Sequence, residues 1–377
     1  FELYNPDLFQ PKEWARMAKE AGMKYFVITA KHHEGFCNWD SKFTDYKITK
    51  TPFKRDALKE VADAMRAEGI KVGFYYSLID WHHPDFTLDG FHPLTPKNNV
   101  AKMDSINKTR DMVKYRAYIK NQVTELLTNY GEISLIWFDF SYKEKGRNEW
   151  ASEDLLKTVR KLQPKILVNN RLDLNKEEGG WDFITPEQYV PVKWPEVEGK
   201  RVPWESCQTF SGSWGYYRDE NTWKSPNQLL SMLIENVSKG GNLLLNVGPT
   251  ARGYIDNRAV NALKAMGDWM KYNSASIYGC TQAPDEYKCP SNCLYTYNPT
   301  TKRLYLHLLS YPTGKITLPD LRGKVKYAQF LHDNSEIKFI TKSQHQPDAE
   351  KIESDLVLSL PVLKPNVEIP VIELILK

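Results

Sequence analysis

The chain has 377 residues, room for one large domain and a smaller one. Apolar residues make up 41% and charged residues 26%, and the formal net charge of +4 comes from interspersed signs, which excludes the concentrated basic face used to bind nucleic acid or an anionic membrane. No apolar run approaches the roughly 18–20 residues that cross a bilayer.

In chain order, a helix over 11–21, with Pro11 in its first turn, leads through Gly22 to the strand KYFVITAKHH (24–33). A helix over 54–68 leads through Gly69 to KVGFYYS (71–77), and a long helix over about 108–129 leads through Gly131 to ISLIWFDF (133–140). A helix over 152–162 precedes KILVNNR (165–171), followed by DFITPE (182–187) and WESCQT (204–209). A helix over 226–238 leads through Gly240-Gly241 to NLLLNVG (242–248), and a last helix covers about 256–272. The stretches 172–181 and 189–203 read as non-helical. Helices alternating with short Val/Ile/Leu/Phe-rich runs, with Gly at the junctions, indicate a parallel sheet with helical crossovers. Seven strands of this kind predict a (β/α)8-type barrel whose first strand lies upstream of Phe1. An open doubly wound sheet is the weaker alternative, because no Gly-rich phosphate loop follows any strand.

After about residue 284 the texture changes. Short alternating segments recur, CLYTYNP, RLYLHLLS, GKITLP, VKYAQFLH, EIKFIT, LVLSLP and VIELIL, separated by turn residues. They predict a C-terminal antiparallel β-sandwich over 285–377 after a barrel domain over 1–284. Five cysteines, at 37, 207, 280, 289 and 293, give no zinc-site spacing and read as mostly free thiols. The sequons at Asn107 and Asn236 arise often by chance. The chain opens without an initiator Met or a signal peptide, which leaves the compartment open.

Two carboxylates stand out. Asp139 ends the apolar strand ISLIWFDF, and Glu187 ends DFITPE. In a barrel of parallel strands, catalytic groups collect at the carboxyl ends, and a converging pair of carboxylates is the minimum equipment for glycoside hydrolysis. Asp80, Asp182 and Glu205 also lie near strand ends and compete for the acid role. Eleven Trp and 21 Tyr suit stacking against sugar rings, although large cores also use aromatics. Hydroxyls, amides, a guanidinium and an indole from Tyr75-Tyr76-Ser77, Asn169-Asn170-Arg171 and Trp214-Gly215-Tyr216 suit a neutral polyhydroxylated ligand. The pairs His32-His33 and His82-His83 raise a rival reading, a metal-dependent barrel hydrolase, but the spacings of the usual metal motifs are absent. A carbohydrate-binding barrel without catalysis is the non-enzyme alternative, opposed by the presence of both carboxylates.

The ordered motifs AKHHEGF, GFYYS, IWFDF, VNNR, DFITPEQ, SWGYYRDE and KGGNLLLNVGP closely resemble glycoside hydrolase family 29, the retaining α-L-fucosidases, over residues 1 to about 280. A sandwich after the barrel is also similar to that family. The resemblance implies hydrolysis of terminal α-L-fucose from fucosylated oligosaccharides, glycoconjugates or aryl fucosides by double displacement, without cofactor or metal. A homo-oligomer stays open. The resemblance implies Asp139 as nucleophile and, by the pattern of one large subgroup, Glu187 as acid/base. It implies His32, His33, Tyr76 and Arg171 around the fucose, with Trp214 near its methyl group. Many family members carry Gly after the nucleophile, where this chain has Phe140, and the H-W-G histidine of the family's first strand has no counterpart here. Retention requires the two carboxyls roughly 5–5.5 Å apart. Glu187 must be neutral when the bond breaks, which leads to the expectation of a less polar setting around it.

Overall fold

The structure is a computed structural model that describes residues 1–339 and 354–377. The chain forms two compact units. The first comprises Phe1–Lys19, Met23–Thr185 and Pro249–Ile255, and the second Glu20–Gly22, Pro186–Gly248 and Asp256–Lys377.

The first unit is built on a parallel four-stranded sheet in the order β1-β2-β3-β4, made of Tyr25–Lys31, Lys71–Ser77, Leu135–Asp139 and Leu167–Val168. Its helices are α1 (Pro11–Glu20), α2 (Ala57–Ala67), α3 (Val100–Asn107), α4 (Met112–Asn129), α5 (Arg147–Trp150) and α6 (Ser152–Leu162). Caps set several helix starts: the Asp56 side chain accepts from the Lys59 N–H and that of Asp111 from the Val113 N–H, each satisfying an N–H the helix leaves unpaired. The sheet and the apolar faces of α2, α4 and α6 bury a continuous core that includes Leu58, Val61, Phe74, Ile119, Val123, Leu126, Ile136, Phe138, Leu155 and Val159.

The predicted strand 165–171 is correct in place but much shorter, ending at Val168. From there a side chain replaces the ladder. Asn169 is fully buried, its amide nitrogen donates to the Phe138 carbonyl and its amide oxygen accepts from the Phe138 N–H, both at 2.9 Å. The predicted strand 182–187 contributes only isolated bridges, Asn169 to Phe183 and Glu187 to Cys207. Asp182 is a structural acid, its carboxylate accepting from the Val168 N–H and from Arg160, both at 2.7 Å.

Two charged side chains sit deep in this unit. Lys31 is fully buried and its Nζ lies 3.2 Å from an Asp80 Oδ, with the tyrosine rings of 76, 115 and 118 around it. Asp80 Oδ1 also accepts the backbone N–H groups of His82 and His83, at 3.0 and 2.9 Å. The backbone of Gly35, at φ +86°, approaches Asp80 so closely that a Cβ would lie 2.1 Å from Oδ1. Removing one partner of a buried pair strands the other charge, which costs about 3–5 kcal/mol. Lys31→Met is therefore expected to lower unfolding free energy by about that much, read as the shift of a urea midpoint at constant slope.

The second unit opens with a short hairpin, β5 (Glu196–Val197) with β6 (Lys200–Arg201), inside the stretch expected to be irregular. The parallel pair β7 (Glu205–Thr209) and β8 (Asn242–Asn246) follows, with helix α7 (Pro226–Ser238) between them in sequence, capped by Ser225 and Gln228 in a reciprocal box. Helix α8 (Asn257–Asn273) leads into the sandwich. One antiparallel sheet has the order β13-β15-β11-β10-β9, from Val325–Phe330, Val371–Leu376, Arg303–Leu308, Cys293–Asn298 and Thr281–Gln282. The other pairs β12 (Lys315–Leu318) with β14 (Leu356–Ser359). Leu304, Leu306, Leu318, Ala328, Leu358, Ile372 and Leu374 fill the space between inner faces. EIKFIT (336–341) contributes single bridges through Glu336 and Phe339, and its last two residues lie outside the described ones. The five cysteines are free. At the sequons, Asn236 is fully buried and Asn107 is bonded to the backbone of Leu88.

Candidate active site

The first unit assembles a cluster around Asp139 at the carboxyl end of β3. The register pairs Tyr75 with Trp137 and Ser77 with Asp139, so these residues share one face of the sheet, while Tyr76 and Phe138 share the other. Asp139 is almost buried. One carboxylate oxygen accepts from Arg171 Nη1 at 2.7 Å and the other from the Tyr75 hydroxyl at 2.5 Å. His33 Nε2 stands 3.9 Å from that second oxygen.

Arg171 is itself held. Its Nε donates to the Thr185 hydroxyl at 3.0 Å and Nη2 to the Thr185 carbonyl at 3.1 Å, while the guanidinium lies 4.3 Å over the Trp137 ring. The geometry uses the planar fork of arginine, which lysine cannot reproduce. The guanidinium fixes one carboxylate oxygen, and the Tyr75 hydroxyl fixes the other.

His33 is oriented by Ser77. The Ser77 hydroxyl donates to the Ile79 carbonyl at 2.8 Å, so it receives the proton of His33 Nδ1, also at 2.8 Å. Nε2 of the neutral ring is then an acceptor, suited to a sugar hydroxyl. Burial, reinforced by the neighbouring His32, pushes the His33 pKa down to about 4, against the opposing pull of Asp139 and Glu34. His92 and His307 are likewise pushed down, to about 4 and about 3, chiefly by burial. These rings stay neutral in the native state where the unfolded chain takes up protons, so stability is present above about pH 6.5 and is lost as pH falls from there toward 4. Urea midpoints measured at pH 7, 5.5 and 4.5 are expected to fall in that order, and an unchanged or rising midpoint would contradict the assignment.

The other predicted residues of this unit divide. His32 is half exposed, its Nδ1 3.3 Å from Glu34 and its ring tilted 3.9 Å from that of His33. Tyr76 does not face the cluster: it is 0% exposed, and its hydroxyl donates to Gln122 at 2.8 Å among helix side chains. Tyr75, one residue earlier, brings its hydroxyl to Asp139. The expectation for Tyr76 is therefore corrected to Tyr75 on geometry, because strand alternation puts only one of the two on the face of Asp139. Tyr75→Phe is expected to lower kcat/KM on an aryl α-L-fucoside by about 10- to 100-fold, since it deletes a hydrogen bond to a charged group. Tyr76→Phe is expected to leave KM unchanged and to reduce stability by about 1 kcal/mol. The second histidine pair is spent on packing. His82 stacks on Tyr46 at 4.0 Å, and His83 Nδ1 accepts the Asp85 N–H at 3.1 Å. Among the described residues no group of three or more His, Cys, Asp or Glu side chains is arranged to hold a metal ion.

In the second unit, Glu187 is exposed and its backbone pairs with Cys207 in the middle of β7. This is not the less polar setting expected for it. Glu205 is the first residue of β7 and is buried, at the amino end of the strand. In parallel barrels that end serves stability, whereas the carboxyl end carries chemistry. Trp214 lies in the loop after β7, 43% exposed, with its carbonyl accepting from the Asn246 amide at 2.7 Å.

Phe140, which stands where many family members carry Gly, has a backbone that suits glycine. Its φ of +81° lies in the left-handed region, which costs a bulky residue about 1–3 kcal/mol. Glycine adopts such a conformation without steric cost, so the departure from Gly noted in the sequence is the signal for it.

A family model described as Alpha-L-fucosidase matches residues 1–275. Alpha-L-fucosidase isoenzyme 1 from Paenibacillus thiaminolyticus shares 43% identity with this chain and superposes with a TM-score of 0.93, covering 100% of this chain and 89% of that one. An alpha-L-fucosidase from Bacteroides thetaiotaomicron, solved as a trapped covalent intermediate, shares 28% identity at a TM-score of 0.83, covering 100% and 84%. Tissue alpha-L-fucosidase of Rattus norvegicus is 30% identical over 93% of this chain and 75% of its own length, and the Dictyostelium discoideum enzyme is 29% identical over 85% and 66%. With these likenesses the fold of this chain is the one expected above, a (β/α)8-type barrel followed by an antiparallel β-sandwich. Neither the metal-dependent nor the non-catalytic reading is favoured. The chain belongs to the alpha-L-fucosidase family, glycoside hydrolase family 29, and is a glycoside hydrolase of the retaining exo-α-L-fucosidase type.

Proposed function

We propose that this chain releases terminal α-L-fucose from fucosylated glycans through a fucosyl ester on Asp139, with Glu187 as acid and then base. One observation carries the first assignment: Asp139 ends β3 with one oxygen fixed by Arg171 and the other bonded to Tyr75 and near His33. A carboxylate held this way is fixed in position to attack an anomeric carbon. The covalent intermediate trapped in the Bacteroides relative supports the same chemistry here.

Glu187 is supported over Glu205 by place. An acid that protonates a leaving oxygen must reach the substrate, and Glu187 is exposed while Glu205 is buried at the amino end of its strand. From an exposed position Glu187 can reach a glycosidic oxygen and, later, a water molecule. Tyr75, His32, His33 and Arg171 hold the fucose, and Trp214 offers an apolar face to it. The catalytic portion is 1–284 and the sandwich 285–377.

In the reaction, Asp139 attacks as Glu187 delivers a proton to the glycosidic oxygen. Glu187 then takes a proton from water, which opens the ester with net retention. The test is an aryl α-L-fucoside assay followed by proton NMR: the first-formed fucose is expected to be the α anomer, and β-fucose as first product would defeat the double-displacement reading.

A further inference from the structure

Phe140 follows Asp139 directly and carries an aromatic side chain on a left-handed backbone. Such strain persists where the surroundings over-determine it, and it gathers at functional sites. Its surroundings do so here. The Phe140 ring meets His33 edge-on, with centroids 4.9 Å apart and planes at 68°. On other sides it meets Phe91 at 5.4 Å and Tyr142 at 5.3 Å, again edge-on. Those two are clamped through one acid: Tyr142 and Lys145 both bond to Asp89, whose carboxylate also accepts the Phe91 N–H at 2.9 Å.

His33 has three other supports, the Nδ1 bond to Ser77, an edge contact with Trp81 at 5.6 Å and the half-exposed His32 ring tilted against it at 3.9 Å. A single hydrogen bond fixes a point on the imidazole and leaves the ring free to tilt about it. The Phe140 ring closes that freedom, so that Nε2 stays 3.9 Å from the Asp139 oxygen. We propose that Phe140 is a positioning residue for the fucosidase reaction, its ring bracing His33 beside Asp139 and its strained backbone placing that ring. The inference rests on the reading of Asp139 as nucleophile and His33 as a fucose-holding residue.

The test uses Phe140→Gly, which relieves the backbone, Phe140→Asn, which tolerates the same φ with a smaller polar side chain, and Phe140→Tyr, which keeps the ring. Each is assayed on 4-nitrophenyl α-L-fucoside in the wild-type and His33→Ala backgrounds. Phe140→Gly and Phe140→Asn are expected to lose about 10-fold or more in kcat/KM, while Phe140→Tyr stays within about two-fold. In the His33→Ala background the same changes are expected to alter kcat/KM by less than about two-fold, because a residue acting through His33 has nothing left to brace. Wild-type kcat/KM in both small variants, or an equal loss with and without His33, would overturn the proposal. If Phe140→Gly does not fold, Phe140→Asn decides by the same criteria. Failure of the underlying reading would show separately, as turnover surviving in Asp139→Ala whatever Phe140 does.

Discussion

Asp139→Ala is expected to abolish hydrolysis of an aryl α-L-fucoside, with kcat lower by roughly 10⁴–10⁶-fold, the scale on which losing an attacking nucleophile acts in double-displacement enzymes. Each tenfold corresponds to about 1.4 kcal/mol, so the loss is on the order of 5–8 kcal/mol of transition-state stabilisation. The fold should persist. Arg171 keeps both bonds to Thr185 and its place over Trp137, and Tyr75 still packs against Trp137. Thermal unfolding is therefore the control that separates lost chemistry from lost structure. Azide should not restore a wild-type-like rate with retained configuration. A small anion in the emptied space would attack the sugar itself and give an inverted fucosyl azide, identified by its anomeric proton coupling.

Glu187→Ala is expected to behave differently. On an aryl fucoside with a poor leaving group, kcat/KM should fall by about 10²–10⁴-fold, the usual contribution of a positioned acid. On an activated aryl fucoside the first step needs little protonation, so the ester forms and then waits for a base that is missing. Azide should then rescue turnover and yield fucosyl azide of retained configuration. If Glu205→Ala shows this rescue and Glu187→Ala does not, the acid has been assigned to the wrong residue. The buried position of Glu205 at the first residue of β7 instead forecasts a stability defect for its replacement.

Asp139 was legible in the sequence because a carboxylate at the end of a fully apolar strand has few structural reasons to exist. Arg171 followed from the motif, and the structure adds the Thr185 and Trp137 supports that aim it. That Tyr75 and not Tyr76 reaches Asp139 is not legible in the sequence, because neighbours in a strand point to opposite faces and which of them faces Asp139 depends on the register of β2 against β3. That register is a long-range property. The shortness of β4 was hidden for a related reason: KILVNN has strand composition, yet the Asn169 amide takes over the ladder bonds. Helix α3 was not anticipated because VAKMDSIN shows no apolar face and buries no residue. The sandwich was visible as alternation, whereas the order β13-β15-β11-β10-β9 is a pairing choice that alternation does not encode.

The most direct measurement is covalent trapping. The full chain is incubated with 2-fluoro-fucosyl fluoride, digested at low pH and mapped by mass spectrometry. One fluorofucosyl adduct is expected, as an ester on the peptide containing Asp139, with activity lost in step with labelling. An adduct on Glu187, Glu205 or another carboxylate, or full inactivation with Asp139 unmodified, would contradict the assignment of Asp139 as the nucleophile.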